Sequence, residues 1–257
     1  MQNNDVIIFT EDIYSEHLST INNVKFTPRE IDVMACLLSA RRTSQIASML
    51  SIAPRTVTTH FRNIMLRLDC NSQEGIINFI ERSHKLSILR EYYSTLIIEL
   101  AFKKALKEIS KLRKDEIPSC LIVYWRDQSL KKSLIRYLKI HLSLAGINAE
   151  VREQRLDYEI DDLKSSNQVL FLLIEEKAQT KALQEFSKFD FVDLTGQKSY
   201  YSSVLELLKK LLSFIDLDKI ISGFRKYCEI TSDFSEKIYI QTSSERKEPT
   251  TKSCSDF

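Results

Sequence analysis

The sequence predicts a multidomain protein in which an all-α domain is joined by a long helix to an α/β domain. Apolar residues recur at helical spacing between Ile31 and Leu68, which is typical of amphipathic helices. After Pro118, short apolar runs alternate with helical patterns, which is typical of a parallel sheet covered by helices. The 257 residues include only four glycines and four prolines, so we expect many helices and few irregular loops.

The first helices of the all-α domain are predicted between Thr27 and Leu50. Thr27 can cap a helix, with Pro28 at its first position and Glu30 three residues further on, which together form a capping box. The apolar pattern breaks at residues 40–42. Thr43 or Ser44 can then cap a short helix that carries Ile46, Ala47 and Leu50.

A further helix is predicted from Pro54 to Leu68, after a turn at residues 51–53. Its buried stripe consists of Val57, Phe61, Ile64 and Leu68. Short hydroxyls and arginines point elsewhere: Arg55, Thr58, Thr59, Arg62 and Asn63. Arginine reaches guanine edges or phosphates, and threonine meets base edges at close range. This pattern suits a helix in a DNA major groove, although an ordinary solvated face is the simpler alternative.

The segment closely resembles the helix-turn-helix domains of the LuxR/GerE family. The shared positions are Thr27-x-Arg29-Glu30-x-x-Val33, Ile46-Ala47-x-x-Leu50-x-Ile52 and Thr56-Val57-x-Thr59-His60-x-x-Asn63-Ile64-x-x-x-Leu68. The resemblance implies a four-helix DNA-binding domain over residues 24–84. In that family the third helix lies in the major groove and the fourth is commonly used for dimerisation.

Carried over by position, the resemblance implies base contacts by Thr58, Thr59 and Arg62. It implies phosphate contacts by Thr43, Ser44, Arg55, Thr56, Asn63 and Arg67. This chain departs from the family pattern at three positions, where Ala40 and Ser51 replace the usual glycines and Thr58 replaces a frequent lysine. If that lysine reaches a phosphate, its absence weakens the salt-dependent part of binding by about one contact.

Dimerisation is predicted through two helices. The segment NSQEGIINFIER, residues 71–82, matches the family's fourth helix and carries Ile76, Ile77, Phe79 and Ile80. The connecting helix, within residues 85–117, carries an apolar stripe close to a 3.5-residue repeat that includes Leu89, Tyr93, Leu96 and Leu100. Such a stripe permits pairing between two subunits. Packing against the chain's own downstream domain is an equally good interpretation.

The α/β domain is predicted over residues 118–240, as three layers around a mostly parallel sheet of four to five strands. Strands are expected at 119–125, 147–151, 168–174 and 189–194, and residues 157–163 are ambiguous. Ligands of such sheets bind at the carboxyl ends of the strands. That edge would hold Trp125, Arg126, Asp127, Glu175, Glu176, Thr195 and Gln197.

This half of the chain resembles, through loose motifs, a bacterial TIR-type domain within the broader flavodoxin-like architecture. The similarity rests on LIVYWRD, SSNQVLFLLIEE and FVDLTGQKSYYSSVLELLKKL. Enzymatic TIR domains cleave NAD with a glutamate, for which Glu175, Glu176 and Glu185 are candidates by position. Acids flanking a helix are the simpler interpretation. We therefore expect no enzyme here, with NAD cleavage or a protein-interaction module as alternatives.

Composition and charge limit the remaining possibilities. The five cysteines form no CxxC pair, so we expect reduced thiols, no metal and no cofactor in a cytoplasmic protein. Residues 1–23 form an amino-terminal extension with four acids and no lysine or arginine, whereas the helix-turn-helix region is basic. Residues 241–257 read as a disordered polar tail. The expected partners are double-stranded DNA, a second copy of the chain, and a small-molecule or protein effector at the α/β domain, but no membrane.

Overall fold

The computed structural model describes residues 9–39, 41–112, 119–125, 132–154, 168–173, 190–193, 200–213 and 215–228. The chain begins there with a short helix, α1 (Thr10–Ile13), which continues as a π-helical turn over Tyr14–Leu18. A two-stranded antiparallel hairpin follows, formed by β1 (Thr20–Ile21) and β2 (Val24–Lys25). Its two turn residues, Asn22 and Asn23, both have positive φ, as a tight hairpin turn requires.

Four helices follow the hairpin: α2 (Pro28–Leu38), α3 (Thr43–Leu50), α4 (Pro54–Leu68) and α5 (Gln73–Arg82). The predicted capping box is confirmed, since Glu30 N–H donates to Thr27 Oγ1 at 3.3 Å and Thr27 N–H donates to Glu30 Oε2 at 2.8 Å. The predicted cap of α3 was wrong. Arg42 occupies the cap position, and its N–H donates to Gln45 Oε1 at 2.9 Å, which leaves Thr43 inside the helix.

The long connecting helix α6 (Leu86–Lys111) is shared by two apolar cores. Its first half completes an amino-terminal core with α2 to α5, to which it contributes Leu89, Tyr92, Tyr93, Leu96 and Ile97. Its second half contributes Phe102, Leu106 and Ile109 to a second core. Of the two arrangements that the sequence left open, the described residues show α6 packed within its own chain.

Most of the predicted dimerisation residues lie inside this amino-terminal core. Ile76, Ile80, Leu89, Tyr93 and Leu96 are buried there, and Ile77, Phe79 and Leu100 are partly buried against it. A side chain that is buried within one chain is not available at the surface where a second chain binds. Pairing between subunits therefore stays a prediction, and its contact surface must differ from the full set that the sequence suggested.

Beyond α6, four parallel strands form one sheet: β3 (Ser119–Trp125), β4 (Asn148–Gln154), β5 (Gln168–Leu173) and β6 (Asp190–Asp193). Their spatial order is β4-β3-β5-β6. Cys120 lies opposite Ala149 on one side and Gln168 on the other. Helix α7 (Lys132–Leu144) packs against β4, and α8 (Tyr200–Leu211) packs against β6.

A last helix, α9, spans residues 218–228. Together with α7, α8 and the second half of α6, it forms the second core through Ile221 and Phe224, and Leu217, directly before the helix, also belongs to this core. Most described residues are helical and both sheets are small. The structure thus confirms the helical amino-terminal part but does not establish three layers around the second sheet. The ambiguous segment 157–163 and the tail at 241–257 lie outside the described residues.

The amino-terminal extension packs against both cores. Ile13, Leu18 and Ile21 belong to the amino-terminal core. Phe9 belongs to the second core, where its ring stacks on Tyr137 at a centroid distance of 3.9 Å. In the described part of the chain, no helix is both long and apolar enough to cross a membrane.

Candidate nucleic-acid interface

Helix α4 is held by the apolar stripe that its sequence predicts. Val57, Phe61 and Ile64 are buried in the amino-terminal core, and Leu68 packs partly buried against it. Pro54 occupies the first turn, where its missing N–H removes no helical hydrogen bond. One side of α4 is therefore fixed to the domain, and the other side faces outward.

The turn before α4 sets the angle between the two helices of the motif. Ser51 adopts the left-handed conformation, with φ 54° and ψ 44°. The next N–H, from Ile52, donates to the Ala47 carbonyl at 3.0 Å and closes the end of α3. A left-handed non-glycine residue costs roughly 1–2 kcal/mol. The turn keeps its geometry despite lacking the glycine that the family usually has there.

The outward face of α4 presents the predicted base contacts to solvent. Thr58, Thr59 and Arg62 are all exposed. Thr58 Oγ1 donates to the Pro54 carbonyl at 3.2 Å, and Thr59 Oγ1 donates to the Arg55 carbonyl at 3.0 Å. With their hydrogens occupied in this way, both hydroxyl oxygens are left as acceptors, suited to the amino groups of adenine or cytosine in the major groove.

Five of the six predicted phosphate contacts surround this face with free polar groups. Ser44, Arg55, Thr56 and Asn63 are exposed, and Thr43 is half-buried at the start of α3. Arginine and the first residues of a helix are both common partners of phosphate. The arrangement puts hydrogen-bond donors on two consecutive helices beside the exposed side of α4.

The sixth residue, Arg67, differs because the fold already uses its guanidinium. Its Nη1 forms a salt bridge with Glu30 and donates to the Lys25 carbonyl at 3.0 Å. The Glu30 side chain is only 3% exposed, against 40% for Arg67. Arg67 thus neutralises a buried carboxylate and ties the end of α4 to the start of α2. A phosphate contact by this residue stays a prediction.

Comparison with known protein families identifies the domain that carries this face. Residues 24–80 match the family described as Bacterial regulatory proteins, luxR family. They form a LuxR-type domain. The match covers a minor part of the chain, and it supports a DNA-binding domain of the kind found in transcription regulators. No curated protein and no solved structure matches the chain, and the TIR-like resemblance of the second half is not confirmed.

The LuxR-type domain is attached to α6 through a buried acid. Tyr92 OH donates to Asp32 Oδ1 at 2.7 Å, and Arg29 Nη1 donates to Asp32 Oδ2 at 3.0 Å. Burial raises the pKa of Asp32, while the hydrogen bond from Tyr92 and the charge of Arg29 act in the opposite direction. This contact fixes α2, and with it the orientation of the motif, against the connecting helix.

Two cysteines, Cys36 and Cys120, are buried in the apolar cores. Burial raises the pKa of Cys36 to about 12, with the nearby Asp32 carboxylate adding to the effect. Burial also raises the pKa of Cys120 to about 11. A thiol is reactive mainly as the thiolate, so both cysteines are inert near neutral pH. Both side chains lie in the apolar cores and contribute to packing.

Two features of the interface were missed by the sequence reasoning. The Glu30–Arg67 pair joins residues 37 positions apart, and neither residue alone signals it. Leu66 is 70% exposed on α4. Helical spacing already places Leu66 on the same face as Arg62, four residues earlier, and this spacing is the signal for Leu66 in the sequence.

Proposed function

We propose that this protein is a sequence-specific, DNA-binding transcription regulator that reads double-stranded DNA with α4. The observation that carries the proposal is the exposure of Thr58, Thr59 and Arg62 within a LuxR-type domain. These side chains stay exposed although the second core packs on the same connecting helix. The face is therefore open to a DNA major groove without any rearrangement of the described residues.

The chemistry of the face fits DNA better than a neutral partner. Arg55 and Arg62 are exposed, and in the described part of the chain no acidic side chain pairs with either. Arginine forms bidentate hydrogen bonds with guanine or a charged contact with phosphate. Threonine acceptors beside such arginines add discrimination between base pairs, which is the property a regulator needs.

We further propose that the protein acts as a homodimer. A twofold dimer would place two α4 helices about one turn of DNA apart, and would read a palindrome. Among the predicted dimerisation residues, Ile77, Phe79 and Leu100 keep partial exposure. These three are the part of the predicted set that a partner subunit can still reach.

The second half of the chain is proposed to sense a small molecule or to bind a partner protein. The order β4-β3-β5-β6 reverses its direction of growth between β3 and β5. In open parallel sheets the ligand crevice lies beyond the carboxyl ends of the strands at such a switch point. Here that crevice would begin after Trp125 and Leu173, where each of these strands ends.

We propose no catalytic activity for this half of the chain. The candidate acids Glu175, Glu176 and Glu185 lie outside the described residues, and an acid beside a helix is commonly a cap or a solvated flank. The NAD-cleaving alternative is tested directly by incubating the full-length protein with NAD. Release of nicotinamide above the level of a heat-treated sample would contradict this part of the proposal.

The proposal for α4 is tested by selecting bound fragments from random and genomic DNA at two salt concentrations and sequencing them. Enrichment of a palindromic site supports a sequence-specific dimer. Binding that enriches no site and is lost as the salt concentration rises would show that the protein binds DNA only through non-specific attraction to the phosphates. That result would contradict the proposal.

The role of Arg62 is tested on the selected site. Arg62→Ala is expected to weaken specific binding by about 1–3 kcal/mol, the usual value of a base contact. Arg225→Ala is the matched control, because it removes the same charge from an exposed position on α9. Equal affinities of the two variants for the site would show that α4 is not the reading helix.

A further inference from the structure

Leu66 is an apolar residue on an otherwise polar face of α4. Its side chain is 70% exposed, more than Leu112, Ile140 or Tyr227, the other large apolar residues that stand out from the described surface. The apolar stripe of α4 points into the core through Val57 and Ile64. Leu66 therefore does not belong to that stripe, and the chain's own packing gives no reason for an apolar residue there.

The position of Leu66 on the helix puts it in line with the proposed base contacts. It follows Arg62 by four residues and Thr59 by seven, so the three side chains share one face. At 1.5 Å of rise per residue, Leu66 lies roughly 6 Å beyond Arg62 along the axis. The exposed line from Arg55 to Leu66 then spans about 16 Å, enough to cross a major groove roughly 12 Å wide.

The apolar group that a major groove offers is the 5-methyl group of thymine. We propose that Leu66 is a further specificity-determining residue, which packs against a thymine methyl next to the base pairs read by Arg62. The inference rests on the proposed DNA-binding function and deepens it. It adds an apolar contact to a face whose other members bind through hydrogen bonds and charge.

A second copy of the chain is a poorer partner for this residue. Leu66 shares its exposed face with Arg55 and Arg62. A twofold contact through this face would bring Arg55 and Arg62 of both chains into one interface, and like charges brought together at an interface are unfavourable. DNA provides both an anionic backbone for the arginines and a methyl group for the leucine.

The experiment replaces each thymine of the selected site by uracil, one at a time, which removes only the methyl group. For the wild-type protein we expect one position in each half-site at which the replacement weakens binding about fourfold, the value of one buried methyl group. For Leu66→Ala we expect the thymine and uracil versions at that position to bind equally. The remaining positions should give the same ratios as with wild-type protein.

Two controls keep the result specific. Leu66→Ala should leave the salt dependence unchanged, because an apolar contact releases no counterions, whereas Arg55→Ala should reduce the slope by about one phosphate contact. Ile140→Ala removes another exposed large apolar side chain, 44% exposed on α7, and should keep the methyl sensitivity. Alanine favours the helix, so the variant should fold, as circular dichroism would verify.

Two outcomes would overturn the inference. Leu66→Ala could retain every thymine-to-uracil ratio of the wild-type protein, which would place Leu66 away from the bases. It could instead change the oligomeric state and weaken all probes equally, which would make Leu66 a contact between subunits. Failure of the proposed function is a separate result, because the wild-type protein would then enrich no site at all.

Discussion

The two cores that share α6 differ in how they treat buried polar groups. In the amino-terminal core, Glu30 is paired with Arg67, and Asp32 accepts hydrogen bonds from Tyr92 and Arg29. In the second core, His141 Nδ1 lies 2.9 Å from Tyr200 OH, but His141 Nε2 and Tyr201 OH are buried without a hydrogen-bond partner. Among the described residues, no other side-chain nitrogen or oxygen atom is buried without a hydrogen-bond partner.

The difference bears on the roles of the two halves. Fully satisfied polar groups fix one arrangement of the helices that hold them, which suits a domain that must present α4 at a constant angle. Unpaired buried polar atoms lower the stability of a core. The second core relies instead on aromatic packing, with Phe102 in edge contact with the rings of both His141 and Tyr201.

The largest effect is expected when the salt bridge between Glu30 and Arg67 in the amino-terminal core is broken. Arg67→Ala leaves the Glu30 carboxylate buried without its cation, and we expect a loss of about 2–4 kcal/mol in the free energy of unfolding. The measurement is urea denaturation followed by circular dichroism. Lys111→Ala is the matched control, because Lys111 pairs with Glu108 at 2.8 Å in an exposed position. Loss of an exposed ion pair should cost far less stability, and similar losses for both variants would contradict the difference drawn between them.

A second prediction concerns pH and the second core. Burial lowers the pKa of His141 to about 4, with a smaller contribution from the charge of Lys103. The unfolded chain, with an ordinary histidine pKa near 6.5, binds the proton first as the pH falls. The stability that His141 contributes as a neutral side chain is therefore complete above about pH 6.5 and is lost between about pH 6.5 and pH 4.

The test compares the free energy of unfolding at pH 7 and pH 5. The wild-type protein should lose about 2 kcal/mol through this histidine. His141→Leu should lose less over the same interval, although it is less stable at pH 7 because Tyr200 loses its partner. His17→Gln, at an exposed position, should keep the wild-type dependence. An unchanged dependence in the His141 variant would show that other groups cause it.

The smallest expected effect concerns the turn of the motif. Ser51→Gly should stabilise the protein by about 0.5–1 kcal/mol, because glycine adopts the left-handed conformation without the steric cost of a side chain. Ser48→Gly, at an exposed position inside α3, should destabilise it by about the same amount. The thermal midpoints of the two variants should shift in opposite directions. A shift in the same direction would show that the backbone at Ser51 does not limit stability.

The sequence predicted the local elements well, because their causes are local. The capping box of Thr27 and Glu30, the proline that begins α4 and the buried stripe of that helix each follow from neighbouring residues. The hairpin was missed because the Asn22–Asn23 turn lacks the glycine that usually marks a two-residue connection. Its strands are also only two residues long, too short to show an alternating pattern.

The partners of each element could not be predicted with the same success. An apolar stripe such as Leu89, Leu96 and Leu100 predicts that one side of α6 is buried. It does not predict whether the chain's own helices or a second subunit bury that side. The structure covers it with the chain's own helices, so the stripe alone was insufficient evidence for a dimer. The pairing of Arg67 with Glu30 likewise could not be predicted from the sequence, because it depends on where the end of α4 lies relative to α2.

The extension before the LuxR-type domain joins the two cores a second time. Thr10 donates through its N–H and hydroxyl to Glu99 of α6, Glu11 pairs with Arg136 of α7, and Tyr14 OH donates to the Phe26 carbonyl at 2.8 Å. A body attached by one helix can twist about the axis of that helix, whereas two separate attachments resist torsion. Rotation of the second core should therefore turn α2 and α4 with it, so that the angle at which the domain meets DNA depends on both cores.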